Sequence, residues 1–572
     1  MRFHWVDKAI YLFAVLFLGG SMARPLPTAS LLKGSPSSYN RPFSIQRGAW
    51  LYPAKLTYGT LACNTPCSAN QRRILLPARI YQVHLPFIAH QAPNPIQLEN
   101  QLPGSTGWQL GPLVSDDINQ QIQGFVSAVS VNKGQAISFY VTVHPSQPYT
   151  MDIYRMGWYG GKGGRLMQHI GPLAGIEQPP CPAARTTGLV ECHWSAPQGA
   201  RLTVPQTWTS GVYLVHLINA QHYESYMIFV VRDDNQPADF LYQQPVTTYQ
   251  AYNVYPGNGV TGKSLYTPHS APWLTAVGTQ YAVKVSFDRP YHGYGDGEFS
   301  NPNYYEAYFV RWIERMGYNV TYATDLDLHT NGKLLRKYKA LLVVGHAEYW
   351  SKEMYDAAWQ ARDAGVSLAF FGANDIYWQV RFEPSSSQQP NRVVVCYKEA
   401  ANHDPVQGER QTTKWRYVGR PEQSLIGIEF GGSNAGENNL AAYVVADSKA
   451  WVFAGTSLNN GNFIPKLVGN EMDLRDSTYQ LPHYLSYNLL SNSPFKLTNG
   501  AQKNANSTIY QAPSGAWVFA AGTLVWSWAL DKAGYVNPDI QRLTQNVLDR
   551  FLQPVHTKPM AVALVNLRTK QP

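Results

Sequence analysis

The strongest constraint on the fold of this chain is a series of short apolar segments that alternate with helical segments between residues 281 and 371. Helices are predicted at Tyr304–Met316 and from the capping residue Ser351 to Gly365. Strands are predicted at Tyr281–Phe287, Asn319–Ala323, Ala340–Val344 and Val366–Phe371. Nearly continuous apolar strands separated by helices are typical of a parallel sheet that is covered on both faces. We therefore predict an α/β domain over residues 239–555, followed by a tail over residues 556–572.

A region of β-strands precedes this domain. Ile137, Phe139, Val141 and Val143 alternate with Ser138, Tyr140 and Thr142, which is the period of a half-buried strand. Further strand patterns continue as far as Arg232. An Ig-like β-sandwich over residues 125–238 accounts for these patterns.

Strand patterns also return in the second half of the α/β domain, where we predict a β-rich part over residues 385–530. The segments Ala450–Thr456 and Ala516–Thr523 share a sequence pattern that predicts two equivalent strands. Asn537 and Pro538 occupy N-cap and first-turn positions, so they begin a final helix that extends to about Leu552.

The amino terminus resembles an export signal. Arg2 and Lys8 precede the apolar run Ala9–Leu18, and Ser21-Met22-Ala23 has the small-x-small pattern of a cleavage site. We therefore predict a signal peptide over residues 1–23 and a secreted or extracytoplasmic protein. The alternative is a membrane anchor formed by the uncleaved signal, although the run is shorter than the roughly 20 residues that span a bilayer. Residues 24–124 are rich in Pro, Ser and Gln and predict an extended or loosely packed arm.

Charge and cysteine content narrow the function classes. The net charge of +9 does not imply nucleic-acid binding, because most of the excess lies before Gln120. Of the five cysteines, Cys63 with Cys67 and Cys181 with Cys192 are close enough to bridge in an oxidising compartment, which leaves Cys396 over. Metal binding by the Cys63 pair is the alternative.

The segment Gly257–Ser264 matches the phosphate-binding loop of nucleotide-binding proteins letter by letter. That loop requires a helix to begin at Lys263, so that the first amides of the helix hold phosphate. Pro268 and Pro272 interrupt the next two turns. We therefore predict no nucleotide partner.

Three polar loops follow predicted strands, at the edge where parallel sheets bind ligands. They are Asp288–His292, His346–Trp350 and Gly372–Asp375. His346 and Glu348 lie two residues apart, so in an extended segment both side chains point to one site. The loop after Val344 contains no cysteine, which disfavours a thiol nucleophile.

Tyrosines are dense in and around these loops, at positions 249, 252, 255, 291, 294 and 349. Phenolates and carboxylates are hard anionic donors that favour a highly charged cation such as ferric iron. A metal held in this way could polarise a carbonyl group and lower the pKa of a bound water. The alternatives are that each tyrosine is a packing residue and that His346 and Glu348 form a buried structural pair.

Several sequence blocks, in the same order along the chain, resemble the large (β) subunit of N,N-dimethylformamidase. The blocks cover a region from about Phe125 to Leu552. They are Ile153–Gly161, Ser286–Tyr291, Tyr322–His329, Gly345–Ser351, Gly372–Trp378 and Val468–Asp473. The fold that this resemblance implies is a β-sandwich followed by a glutamine-amidotransferase-like α/β domain.

The resemblance also implies amide hydrolysis at a mononuclear, ferric iron that is bound by two tyrosines and one glutamate. Glu348 would be the carboxylate ligand. Tyr291 and Tyr252 would be the phenol ligands, with Tyr249 as the rival of Tyr252.

Two further residues take roles from the same resemblance. His346 would either support Glu348 from outside the ligand set or be its acid/base partner, and Glu471 would be the catalytic carboxylate that positions or deprotonates the attacking water. The sequence departs from the family pattern at Ala347, which replaces a proline, and at Asn470, which stands where an aromatic residue is common.

The leading hypothesis is an exported, iron-dependent hydrolase that cleaves the carbon–nitrogen bond of a small amide. The family enzyme uses a separate small subunit, so such a partner and a homo-oligomer are both left open. The competing hypothesis is an extracellular binding protein that retains the fold without turnover and uses its β-sandwich and tryptophans to hold glycans or peptides.

Overall fold

The computed structural model of the protein describes residues 92–434 and 439–554. Within these ranges the chain forms seven β-sheets and eight α-helices, and the fold is β-rich. None of the helices in these ranges is long and apolar enough to cross a membrane. The predicted signal peptide, residues 24–91 of the predicted arm, the Cys63–Cys67 pair and the predicted tail lie outside the described residues.

Helix α1 (Pro95–Glu99) belongs to the part of the predicted arm that the structure describes. Asn94 caps this helix, and Ile96 is fully buried in the main apolar core. The carboxylate of Glu99 is also buried, where it accepts hydrogen bonds from Tyr159 and Arg165, both at 2.7 Å. Residues 94–99 of the predicted arm are therefore packed against the folded body.

Eight strands form two sheets that share one apolar core. They are β1 (Gln123–Val126), β2 (Ser130–Asn132), β3 (Ala136–Thr142), β4 (Pro148–Met156), β5 (Gly164–Ala174), β6 (Arg201–Thr203), β7 (Gly211–Asn219) and β8 (Glu224–Arg232). The sheet orders are β1-β3-β6 and β2-β8-β7-β4-β5. The alternating apolar residues of β3 lie in the core, where the ring of Phe139 is 6.2 Å from that of Phe229 in the other sheet. The period-2 pattern thus reflects the packing of two sheets.

Strands and helices alternate from residue 240 onwards. The strands are β9 (Phe240–Gln244), β10 (Lys284–Ser286), β11 (Val320–Thr324), β12 (Ala340–Gly345), β13 (Tyr349–Ser351), β14 (Ser367–Gly372), β15 (Trp378–Glu383) and β16 (Val393–Val395). The helices are α2 (Val246–Tyr252), α3 (Glu306–Arg315), α4 (Asp325–Thr330) and α5 (Lys352–Asp363). Ser351 caps α5 as predicted, since its hydroxyl accepts a hydrogen bond from the backbone of Met354.

The carboxyl-terminal part adds mostly short strands. They are β17 (Glu429–Ser433), β18 (Ala441–Val444), β19 (Phe463–Val468), β20 (Glu471–Leu474), β21 (Ser486–Leu489), β22 (Ser493–Lys496), β23 (Gln502–Ala505), β24 (Thr508–Gln511) and β25 (Trp517–Ala520). The helices are α6 (Gln423–Ile426), α7 (Trp528–Asp531) and α8 (Pro538–Leu552). The prediction of two equivalent strands is half wrong. β25 is a strand, whereas Trp451–Phe453 forms a 3-10 turn that packs on α8.

The central sheet has the order β11-β9-β12-β14-β25-β24-β21. Its first five strands are parallel, and numbered along the chain they lie in the order 2-1-3-4-5, a common doubly wound arrangement. Helices α3 and α8 pack on one face of this sheet and α5 packs on the other. The predicted strand at 281–287 is the exception, because β10 belongs to a separate sheet of order β10-β16-β15-β13. In the doubly wound order, ligands bind where the strand order reverses, which here is between β9 and β12.

A buried ion pair joins the sandwich to the α/β region. Arg155 of β4 and Glu314 of α3 are both fully buried, with a nitrogen–oxygen distance of 2.7 Å. Tyr322 and Asn100 donate further hydrogen bonds to the Glu314 carboxylate at 2.7 and 2.8 Å. All oxygens of this carboxylate are therefore satisfied inside the protein.

We expect Arg155→Met to lower the free energy of unfolding by about 3–5 kcal/mol, because it leaves the buried Glu314 charge without its partner. Lys133→Met is the matched control, since it breaks an ion pair with Asp233 that is partly exposed and is expected to cost less than about 1 kcal/mol. Urea denaturation followed by tyrosine and tryptophan fluorescence measures both. Equal destabilisation by the two variants would contradict this role of the buried pair.

Candidate active site

Polar side chains meet at the carboxyl ends of β9, β12 and β14, which are neighbours in the central sheet. Helix α2 follows β9 and ends at Tyr252, Glu348 lies in the turn after β12, and Asn374 lies in the turn after β14. The backbone amide of Glu348 donates a hydrogen bond to the Thr248 hydroxyl of α2 at 3.1 Å. The second and third predicted loops thus do converge, at the point where the strand order reverses.

Two phenols donate hydrogen bonds to the carboxylate of Glu348, which is only 3% exposed. The Tyr252 hydroxyl lies 2.9 Å from Oε2, and the Tyr266 hydroxyl lies 2.8 and 2.7 Å from Oε1 and Oε2. Tyr349 donates in turn to the Tyr266 hydroxyl at 2.6 Å. Burial, together with the charge of Glu348, raises the pKa of Tyr266 well above its ordinary value. Both phenols therefore keep their protons while they face Glu348.

His346 lies between two carboxylates. Its Nε2 is 3.0 Å from Oε2 of Glu471 and 3.4 Å from Oε2 of Glu348. Burial alone would lower the pKa of His346, but the two carboxylates outweigh it and raise the pKa to about 9. The amide of Asn374 donates to Oε2 of Glu471 at 2.7 Å. Although burial favours the neutral acid, His346 and Asn374 lower the pKa of Glu471, so this carboxylate is held in its charged form.

The structure brings together four of the residues that the sequence analysis selected, namely Tyr252, His346, Glu348 and Glu471. Tyr291 has a different environment, because its ring packs edge-on against Tyr249 at 6.4 Å and its buried hydroxyl has no hydrogen-bond partner among the described residues. The hydroxyl of Tyr249 instead accepts a hydrogen bond from Gln244 at 2.8 Å. The second phenol on Glu348 is thus Tyr266, which the sequence analysis did not select.

Tyr266 lies in a segment between α2 and β10 that has no regular secondary structure, and three buried cations hold this segment in place. The Lys263 ammonium donates to the carbonyls of Ala271 and Trp273, both at 2.7 Å, and also to that of Gln280. These contacts use all three protons of the ammonium group in the segment that matches the phosphate-binding loop. The segment that matches the motif thus leads directly into the loop that carries Tyr266.

The other two cations are Arg289 and Lys398. The Arg289 guanidinium binds the carbonyls of Asn253, Tyr255 and Lys263 at 2.8–3.1 Å, and burial lowers the pKa of Arg289 to about 9. The Lys398 ammonium donates to the Leu265 carbonyl at 2.9 Å and lies 3.4 Å from the centre of the Tyr266 ring. A cation over the face of an aromatic ring is attracted by the ring electrons. Lys398 therefore holds Tyr266 in place through the neighbouring backbone carbonyl and through the aromatic ring.

The donor set around Glu348 fits a small, highly charged cation. Among the described residues, no group of three or more His, Cys, Asp or Glu side chains is placed to hold a metal ion. Two phenols and one carboxylate would together carry three negative charges when ionised, which matches ferric iron. Each phenol oxygen lies 2.7–2.9 Å from Oε2 of Glu348, which is close to the spacing of neighbouring ligands around a cation with bonds of about 2.0 Å.

Two cavities open on this centre, and both have Tyr252 and Glu471 in their walls. The first has a volume of about 360 Å³ and includes His346, and the second has a volume of about 350 Å³ and includes Glu348 and Tyr266. The ring of Tyr252 is 41% exposed and faces this open space. A ligand could therefore reach the carboxylates and phenols directly.

Residues 150–539 match the family model described as N,N-dimethylformamidase beta subunit-like, C-terminal, which covers more than half of the chain. The N,N-dimethylformamidase beta subunit of an Alcaligenes species is 25% identical over 332 residues, which are 51% of this chain and 42% of that protein. The beta subunit from Paracoccus aminophilus is 25% identical over 284 residues, which are 43% of this chain and 36% of that protein. The chain thus matches less than half the length of these curated relatives. The extent of the family match shows that the chain belongs to the N,N-dimethylformamidase beta subunit-like, C-terminal family.

Proposed function

We propose that the protein is an exported hydrolase that cleaves a carbon–nitrogen amide bond at a mononuclear iron held by Glu348, Tyr252 and Tyr266. The observation that carries this proposal is the convergence of two phenols on one buried carboxylate, at the edge where parallel sheets bind ligands. Two relatives are named as beta subunits of N,N-dimethylformamidase, and this name supports amide hydrolysis as the reaction class. We also infer that the fold is an Ig-like sandwich joined to a glutamine-amidotransferase-like domain, for which the 2-1-3-4-5 strand order is the support.

The chain supplies an acid and a base beside this centre. A bound ferric ion would polarise the amide carbonyl and lower the pKa of water. Glu471, which is held in its charged form, accepts a proton from the attacking water. Asn374 fixes one oxygen of Glu471 at 2.7 Å, which orients the carboxylate. His346 carries a proton, because its pKa is raised to about 9, and it gives this proton to the leaving nitrogen. Glu471, at 3.0 Å, then passes the proton taken from water to His346.

Export is the second element of the proposal. The predicted pair Cys181 and Cys192 forms a disulfide with Cα atoms 4.3 Å apart, whereas Cys396 is buried and free. Disulfides persist mainly in oxidising compartments, so this bond and the signal-like amino terminus point in the same direction. Mass spectrometry of the protein from its native host decides between a cleaved signal and a retained membrane anchor, because only cleavage removes about 23 residues.

A separate subunit is the third element. The relatives are named as beta subunits, which supports a partner chain for this protein as well. Light scattering and denaturing gel electrophoresis of the protein purified from its native host would show a heteromer as a mass above that of one chain together with a second band. A single-chain mass, or a larger mass with one band, would contradict this element.

Metal analysis combined with visible absorption spectroscopy tests the proposed function. About one iron per chain, a phenolate-to-iron charge-transfer band and release of amine from amides are the expected results. Colourless protein that takes up neither ferric nor ferrous iron and hydrolyses no amide would contradict the proposal and favour the binding-protein hypothesis.

The choice between Tyr266 and Tyr291 gives a direct prediction. We expect Tyr266→Phe to reduce the charge-transfer band and to weaken iron binding by at least about tenfold, because it removes a donor that faces Glu348. Tyr291→Phe is the matched control and is expected to leave the band unchanged. Titration of the apoprotein with iron, followed by absorbance, measures both. The reverse result would restore Tyr291 as the ligand that the sequence resemblance implies.

A further inference from the structure

The two cavities at the candidate active site have separate walls beyond the reaction centre. Apart from Tyr252 and Glu471, the described residues that line the first cavity do not line the second. His346 is in the wall of the first cavity only, and Glu348 is in the wall of the second only. Tyr252 and Glu471 thus form the wall that the two cavities share, and a substrate lying across this wall would place one group in each cavity.

Each of the two cavities is larger than the volume that a small formamide would fill. Pockets of about 300–1,000 Å³ are typical of sites that bind drug-sized molecules. Each cavity here reaches that range alone, with about 360 and 350 Å³. N,N-dimethylformamide has only five non-hydrogen atoms and carries hydrogen on its carbonyl carbon, so it would leave at least one cavity without a substituent.

Aromatic rings contribute to the walls of both cavities. The first cavity is lined by Tyr249, Tyr291, Tyr304 and Tyr305 in addition to Tyr252. The second is lined by Tyr266, Tyr281, Tyr377, Trp378 and Phe430. Aromatic groups pack favourably against such walls in offset or edge-to-face arrangements.

We propose that the substrate is an N-substituted carboxamide that carries a bulky, aromatic group on each side of the amide bond, with one group in each cavity. This inference rests on the proposed function and makes it more specific. It predicts that substrate preference rises with substitution at both the acyl carbon and the nitrogen, and that formamides are poor substrates.

A series of four amides tests the inference on the iron-loaded protein. The series is N-methylacetamide, N-benzylacetamide, N-methyl-2-phenylacetamide and N-benzyl-2-phenylacetamide, with N,N-dimethylformamide as a fifth compound. We expect kcat/KM to rise by at least about tenfold for each aromatic group, because even one extra methylene in an apolar pocket changes kcat/KM by 10–200-fold. Hydrolysis of N-methylacetamide or N,N-dimethylformamide at rates equal to or above that of N-benzyl-2-phenylacetamide would overturn the inference and leave the proposed function intact.

Two variants connect the preference to the cavities. Ser433→Trp narrows the first cavity. We expect it to reduce by at least about tenfold the gain in kcat/KM that one of the two aromatic groups provides. Val114→Phe is the control, since Val114 lines a separate cavity of about 490 Å³ that contains none of the candidate site residues. An unchanged size preference in Ser433→Trp would contradict the placement of an aromatic group in that cavity.

Binding measurements separate this inference from the proposed function. If no amide is hydrolysed, the proposed function fails together with the assignment of a substrate. Calorimetric titration with N-benzyl-2-phenylacetamide and N-methylacetamide then decides whether the two cavities bind the aromatic groups of an amide. Tighter binding of the larger amide by at least about tenfold would support the two-cavity assignment in a protein without turnover. Equal or undetectable binding of the two amides would overturn it.

Discussion

Glu348→Gln is expected to abolish iron loading and amide hydrolysis together. The carboxylate of Glu348 is the acceptor on which the Tyr252 and Tyr266 hydroxyls converge, and it is 3% exposed. Glutamine has nearly the same shape but carries no charge, so it removes one of the three anionic donors that a ferric ion requires. Elemental analysis, the charge-transfer band and amine release are the measurements, and each is expected to fall to background.

Glu353→Gln is the matched control for this experiment. Glu353 lies five residues further along the chain, in the first turn of α5, where it contacts Arg410 at 2.6 Å and is partly exposed. The same substitution at Glu353 is expected to leave iron content and hydrolysis unchanged. If Glu348→Gln retained one iron per chain and normal turnover, the assignment of Glu348 as a ligand would be wrong.

Glu471→Gln is expected to separate iron binding from catalysis. The variant should keep its iron, because Glu471 contacts His346 and Asn374 and neither phenol. Hydrolysis should fall by about 10²–10⁴-fold, the usual contribution of a general base. Iron content and single-turnover rates measure the two effects. Loss of iron together with activity would instead make Glu471 a ligand or a structural residue.

Much of the α/β region could be predicted from the sequence because its signals are local. The strands β12 and β14 are continuous apolar segments, and the side chains that follow them lie at the predicted edge of the sheet. His346 and Glu348 share one site because they are two residues apart in an extended turn. These features depend on periodicity and on the geometry of parallel sheets, which a single sequence contains.

The position of Tyr266 and the turn at Trp451–Phe453 could not be predicted from local sequence patterns. Tyr266 reaches Glu348 from a loop without periodicity, and the contacts that place it come from Lys398 and Arg289, which are distant in sequence. The segment Trp451–Phe453 resembles β25 in sequence but lies against α8, where Asn546 donates to the carbonyl of Val452. In both cases tertiary neighbours, rather than the local pattern, decide the conformation.

The cations around the Tyr266 loop have a consequence for how the centre is assembled. Lys263, Arg289 and Lys398 bind backbone carbonyls, so the loop is fastened by contacts that do not pass through Glu348. The two phenols consequently face the carboxylate in the protein alone, and little conformational entropy would be lost if an iron ion bound there as proposed. Under the proposed function, the protein would stay folded while the ion is taken up and released, and the two phenols would lose their protons when the ion binds.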